Sequence, residues 1–227
     1  HNETSTGLMN PVAEIAAVRR KYPDVYWLVD TVSSMGGIRI PVDEFGMDVC
    51  ITSTQKCLGL PPGMSVCSVS PRALEHARTV PFRGAYLDIV ELYDYIIKKN
   101  FQYPSTPSLS HMFALDLQLD YIFNVEGLEK RYARHLEMAQ MTRAWANDRF
   151  AVFPQPGYES VTLTTINNTR GISVADLNKK IGEVGYQISN GYGDLKEKTF
   201  RIAHMADRTV AEMKTLLNLI DETIAKM

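Results

Sequence analysis

The chain has little of what would mark an extracellular, membrane-spanning or nucleic-acid-binding protein. It has three cysteines in 227 residues, with no CxxC pair and no His/Cys spacing of a metal site, so neither a disulfide framework nor a bound metal is expected. Cys50, Cys57 and Cys67 lie in or beside apolar stretches and read as buried free thiols of a reducing, cytoplasmic compartment. No apolar run approaches the ~20 residues of a membrane span. The 24 Lys and Arg nearly balance the 26 Asp and Glu, and no block of like charge stands out, which argues against a nucleic-acid or membrane-surface partner. Internal repeats and low-complexity segments are also missing.

What is present suits a globular enzyme. Apolar residues make up 45% of the chain, and its length suits one large domain or two modest ones. It opens on His1 and a polar cluster, His1-Asn2-Glu3-Thr4-Ser5-Thr6-Gly7, which reads as the loop after a strand. The expectation is therefore a C-terminal portion of a longer protein.

The hydrophobic pattern alternates between helix and strand. Asn10 and Pro11 read as the cap and first turn of a helix whose apolar face is Val12, Ile15, Val18 and Tyr22, ended by Pro23. Val25 to Val29 is a continuous apolar run, expected as a parallel strand buried on both faces and closed by Asp30. Carboxyl ends of such strands hold ligands in open α/β sheets. Asp30 is thus a site candidate, with turn former as the equal alternative. Met47 to Thr52 and the alternating Met64 to Val69 read as further strands, and Pro71 to Ala77 and Leu87 to Lys99 as helices. From Ser108 the pattern is helical, resuming from Glu126 to Arg149. Val161 to Ile166 alternates like a strand with one wet face. Val174 to Val184 is helical, Thr199 to Ala203 a strand, and Val210, Met213, Leu217, Ile220 and Ile224 trace a last amphipathic helix. The fold class is α/β. Residues 1–124 are expected to be the remainder of a large domain, and residues 125–227 a linking helix with a small C-terminal domain.

One stretch organises the rest. Ser53-Thr54-Gln55-Lys56-Cys57-Leu58-Gly59-Leu60-Pro61-Pro62-Gly63 presents a lysine just past a core strand, on a turn stiffened by glycine and proline. A solvated ammonium needs no such mount, whereas a lysine that must lose its proton and attack a carbonyl benefits from one.

The loop His1-x-Glu3-Thr4-Ser5-Thr6-Gly7, Asp30 at a strand end, the Gln55-Lys56 pair and Phe200-Arg201-Ile202 stand in the order seen in class V aminotransferases. The chain resembles these fold-type I pyridoxal-phosphate enzymes, in particular the alanine-glyoxylate and serine-pyruvate branch. The resemblance implies that Lys56 carries the cofactor as a Schiff base and serves as the catalytic base. It implies that Asp30 partners the pyridine nitrogen, that Gln55 and Thr4 hydrogen-bond around the ring oxygen, and that Arg201 clamps the substrate carboxylate. Phe200 and Ile202 flank Arg201, so strand alternation turns it away from the core. Tyr103 and Thr106, on the loop Asn100 to Ser108, match residues that reach the partner's cofactor phosphate in a homodimer. The substrates implied are a small amino acid, alanine or serine, and a 2-oxo acid, glyoxylate or pyruvate, exchanged by a ping-pong mechanism.

The family's main phosphate loop and ring-stacking aromatic lie upstream of the His-x-Glu loop and are not among these residues, so the isolated chain is not expected to be a competent enzyme. Two other readings compete. One is 2-aminoethylphosphonate-pyruvate aminotransferase, which the His-x-Glu-Thr-x-Thr-Gly loop also suits. The other is a non-catalytic subunit of the same fold, against which Lys56, Asp30 and Arg201 together speak. Cysteine desulfurases share the fold, but Gln55 stands where they carry histidine.

Overall fold

In the computed structural model, which describes residues 1–227, the run ahead of Lys56 is the middle strand of a three-stranded sheet. The chain opens on a short antiparallel hairpin, β1 (Asn2–Glu3) against β2 (Leu8–Met9). Helix α1 (Val12–Arg19) leads to β3 (Leu28–Asp30), the single turn α2 (Val42–Phe45), β4 (Val49–Ser53) and β5 (Ser65–Val69). β3 runs parallel to β4, and β5 lies antiparallel on its other side.

Helices α3 (Pro71–Thr79), α4 (Ile89–Lys98) and α5 (Leu109–Asp120) follow. A π-helical stretch, Tyr121–Glu126, joins α5 to the long α6 (Leu128–Arg149). The rest is a four-stranded antiparallel sheet in the order β6-β7-β9-β8. Its parts in chain order are β6 (Ala151–Val152), β7 (Leu163–Asn167), α7 (Val174–Gly182), β8 (Ser189–Asn190), β9 (Thr199–Ala203) and α8 (Val210–Ile224). The α/β class read from the sequence is the class observed.

Apolar burial is uneven. Sixteen buried residues, among them Trp145, Ile166, Leu177, Phe200 and Ile220, pack α6, α7 and α8 on the second sheet. The first sheet has three, Val29, Met47 and Cys50. A fully buried aliphatic or aromatic side chain contributes ~1.5–3 kcal/mol, so most of the hydrophobic stabilisation sits in the C-terminal half.

That imbalance corrects several expectations. Only Ala16 of α1 is buried; Ile15, Val18 and Tyr22 are exposed, and the helix ends at Arg19, short of Pro23. Asn10 does not cap it: the cap position falls on Pro11, no side chain accepts from the first turn, and Asn10 Nδ2 donates instead to the carbonyl of His1 at 3.1 Å. The run Val25 to Val29 forms a strand only from Leu28, which is 66% exposed because β3 is an edge strand. β5 is exposed along most of its length for the same reason, and takes Cys67 to the surface while Cys50 and Cys57 stay buried. In the other direction, Val161 to Ile166 has no wet face. Thr162, Thr164 and Thr165 are all buried, and a threonine pattern hides this because its hydroxyls can be satisfied inside. Thr164 Oγ1 pairs with His204 Nε2 at 2.9 Å, and Thr162 Oγ1 donates to the carbonyl of Ser33.

Candidate functional site

β3 and β4 run parallel and in register, with Asp30 opposite Ile51. Asp30 ends β3, while β4 continues to Ser53 before the chain turns through Gln55 and Lys56. A carboxylate and an amine therefore leave the same carboxyl edge of the sheet, where open α/β sheets hold their ligands. Asp30 also forms its own turn, since Oδ1 accepts the Val32 N–H at 2.8 Å. Both readings of this residue apply at once, because a carboxylate has a second oxygen to offer.

The turn Thr31 to Ser34 is the meeting point. Ser33 Oγ lies 2.7 Å from Thr4 Oγ1, and its carbonyl accepts from Asn2 Nδ2 at 3.0 Å and from Thr162 Oγ1. Cys57 Sγ, next along from Lys56, approaches the same carbonyl at 3.8 Å. The Thr4 carbonyl in turn accepts from Arg201 Nη1 at 3.2 Å. Arg201 Nε and Nη2 share the carbonyl of Asn190 at 3.3 and 3.2 Å. One N–H on each Nη remains free, which is the pair a carboxylate takes in a bidentate contact. Hydrogen bonds thus bring Thr4, the Asp30 turn, the Lys56 turn and Arg201 to one place. Gln55 is exposed beside them.

No ion pair involves Lys56, Asp30 or Arg201. Elsewhere carboxylates are firmly paired: the Arg72 guanidinium beside Asp48 holds that carboxyl far below the usual range. No counter-ion therefore neutralises the amine, the carboxylate or the guanidinium, which leaves their charges to a ligand. Burial pushes the Cys57 thiol up to about 12, so it stays protonated and is no nucleophile beside Lys56.

Hydrogen bonds within the chain segment close the Lys56 turn. The Lys56 carbonyl accepts the Gly59 N–H at 3.0 Å, and Thr54 Oγ1 donates to the Pro61 carbonyl at 2.8 Å. Gly63 has φ +144°, and a Cβ there would stand 2.8 Å from the His111 ring, so only glycine fits. Tyr103 and Thr106 lie apart from the cluster. Both are exposed and line a hollow of ≈ 590 Å³ with Phe101, Gln102 and Ser105.

Sequence reasoning missed Ser33, Asn2, Arg131 and the buried pair His135 and His204. Ser33 and Asn2 sit in polar turns that look solvated. The charged residues of α6 alternate with apolar ones, so nothing in the pattern marks Arg131 as wholly buried.

The profile described as "Aminotransferase class-V" matches residues 1–194. An uncharacterized aminotransferase of Methanocaldococcus jannaschii is 38% identical over 90% of this chain and 53% of its own length. The serine–glyoxylate aminotransferase of Arabidopsis thaliana is 32% identical over 91% of this chain and 52% of its own. Among solved structures, the alanine–glyoxylate aminotransferase of Nostoc sp. superposes with a TM-score of 0.90 at 27% identity, over 99% of this chain and 60% of that one. The chain spans about half the length of the curated relatives it matches.

Proposed function

The chain belongs to the class V aminotransferases, and on that premise we propose that it takes part in pyridoxal-phosphate-dependent transamination. The substrates are a small amino acid, alanine or serine, and a 2-oxo acid, glyoxylate or pyruvate, in a ping-pong exchange. The observation that carries this reading is that Asp30 and Lys56 leave one carboxyl edge of the sheet, both without counter-ions, with Arg201 tied to the turn after Asp30 through Thr4 and Ser33. A relative named for serine and glyoxylate and a structural neighbour named for alanine and glyoxylate support the substrate class.

The donor set fits the cofactor at two of its ends. Lys56 offers a primary amine for the aldehyde, and Asp30 a carboxylate for the pyridine nitrogen. The hydroxyls of Tyr103 and Thr106 lie apart from this cluster and would reach a phosphate from the partner of a homodimer. When bound, pyridoxal phosphate supplies a conjugated ring that takes up the electron pair left as a proton departs the substrate α-carbon. The protein's residues do the rest. Lys56 Nζ would carry the proton from the substrate α-carbon to the cofactor's aldehyde-derived carbon in the first half of the exchange, and the opposite way in the second. Asp30 holds a proton at the ring nitrogen, because a carboxylate beside a basic nitrogen favours its charged form. Thr4 and Gln55 orient the ring through its oxygen, and Arg201 holds the substrate carboxylate in a two-point grip that fixes the α-carbon.

The working unit is a homodimer, cytoplasmic, in which Tyr103 and Thr106 serve the partner's site, with residues 1–124 and 125–227 as its two domains. No helix is long and apolar enough to cross a membrane. The test is chemical. Pyridoxal phosphate followed by borohydride is expected to fix one adduct per chain, found by peptide mass spectrometry on Lys56, and Lys56→Ala is expected to abolish it. An adduct spread over surface lysines, or one that survives in Lys56→Ala, would sink the reading.

A further inference from the structure

The largest of the fully buried side chains is a charged one, and it rests on the Lys56 turn. Arg131 of α6 donates from Nη2 to the carbonyl of Cys57 at 2.6 Å and from Nε to the carbonyl of Gly36 at 3.0 Å. Its Nη1 donates to Glu126 Oε2 at 2.6 Å and to Asp207 Oδ1 at 2.8 Å. Burying a guanidinium carries a large desolvation cost before its partners offset it, and a well-packed apolar side chain often fills such a space at no loss. Four acceptors spread over the Gly36 turn, the Lys56 turn, the π-helical stretch and the β9–α8 loop are more than core filling asks for.

The same network reaches the turn a second way. Asp207 accepts from Gln118 Nε2 at 3.1 and 3.0 Å. At Gly59, whose φ is +77°, a Cβ would lie 3.0 Å from Asp207 Oδ2. Lysine has a long, many-rotamer side chain, so where Nζ points depends on how firmly its backbone is held.

We infer that Arg131 is a positioning residue for Lys56. By fixing the Cys57 carbonyl it sets the turn from which Lys56 projects, and through Asp207 it ties that aim to residues of the C-terminal half. The inference rests on the proposed function for the role of Lys56, but the geometry stands without it.

The experiment uses the 227-residue chain as wild type, Arg131→Gln, Arg131→Lys, Asp207→Asn and Arg134→Gln. Arg134 lies one turn along α6 and bonds Glu126 and the carbonyls of Ala206 and Arg208, with no bond to the Lys56 turn. Two quantities are read: amide hydrogen exchange across residues 54–60, and the rate of borohydride-fixed pyridoxal-phosphate labelling at Lys56 relative to all other lysines. In Arg131→Gln, exchange in 54–60 is expected to quicken and selective labelling to fall by about tenfold or more, since an ångström of misplacement can cost ~10²-fold. Arg131→Lys restores little, because one ammonium cannot span the four acceptors. Arg134→Gln leaves both readouts as in wild type. Asp207→Asn, partly exposed and milder, shows the same two changes in smaller measure and replaces Arg131→Gln if that variant does not fold.

A folded Arg131→Gln or Asp207→Asn chain with wild-type exchange in 54–60, or with wild-type selectivity at Lys56, overturns the inference. If wild type itself shows no selective label, the functional reading is what has failed. Exchange alone then decides: quickening confined to 54–60 upholds the positioning role, and quickening spread over the whole chain removes it.

Discussion

His135 and His204 have no exposure to solvent, and each leaves one ring nitrogen without a partner, Nε2 in His135 and Nδ1 in His204. His135 Nδ1 meets the carbonyl of Arg131 at 2.8 Å. Burial, helped by nearby guanidinium groups, lowers His135 to about 4 and His204 to about 3. The folded chain therefore keeps both rings neutral at pH values where the unfolded chain protonates them from ~6.5 downward. More protons bind the unfolded state in that window, so stability rises with pH. It is whole above ~6.5 and falls by on the order of 1.4 kcal/mol per pH unit per histidine down to about pH 4. Asp48 works in a lower window: its depressed carboxyl stabilises the fold above the ordinary aspartate value of 3.8, and that contribution is lost as the carboxyl takes up its proton below it. We expect the melting temperature to drop steadily from about pH 6.5 to pH 5, and the slope to shrink in His204→Gln. A profile flat to pH 5 would show that neither ring is held neutral. Among residues, the placement of the candidate site's charged groups relative to the strands was the part most legible in the sequence. Asp30, Lys56 and Arg201 announce themselves because each stands at a strand end or between core residues. Arg131 and the two histidines do not, because burial of a polar side chain depends on partners distant in the chain, such as Gly36 and Cys57 for Arg131.

Helix α8 is an element whose local signals and packing agree. Thr209 Oγ1 accepts the Glu212 N–H at 3.2 Å while Glu212 Oε2 accepts the Thr209 N–H at 2.8 Å, a complete capping box. The apolar stripe behind it puts Met213, Leu217, Ile220 and Ile224 into the main core. Its bounds were therefore readable from spacing alone, as were those of β9 and, within a residue or two, α3 and α4. Elements of the first half were less readable for one physical reason. Their apolar faces are written for burial, and α1, β3 and β5 do not receive it within these residues, so a rule that equates apolar with buried misplaces them. The small strands β1, β2, β6 and β8 were missed because two residues carry no periodicity. Thr209→Ala removes half of the capping box and is expected to cost ~1 kcal/mol, which for a chain of this length lowers the melting temperature by ~2–4 °C. Calorimetry checks it, and a loss well below this would mean that packing alone holds the start of α8.

At the scale of the whole molecule, the sheet that carries Asp30 and Lys56 has two open edges. β3 offers Leu28, and β5 offers the unpaired side of Ser65 to Ser68. Alongside β5 a cleft of ≈ 1010 Å³ runs between α3, α4 and α5, lined by Val66, Leu74, Leu92, Met112 and other mainly apolar side chains. Phe113 on its wall and Leu117 further along α5 are more than 70% exposed. An unpaired strand next to apolar surface is a template for another chain, and natural edges usually carry lysine or proline to prevent that. β5, Ser-Val-Cys-Ser-Val, carries neither. Exposed apolar area of this extent drives association unless something covers it. We therefore expect the 227-residue chain to bind a hydrophobic dye strongly and to associate with rising concentration, as sedimentation velocity would record. Val66→Lys puts a charge on the edge and should weaken both effects without moving the melting temperature by much, since Val66 is already exposed. A homodimer formed through the Tyr103 and Thr106 loop would persist in Val66→Lys as a discrete species at twice the chain mass, whereas edge pairing alone would leave monomer. A wild-type chain that stays monomeric and dye-free would mean that these edges are not the sticky surface their composition describes.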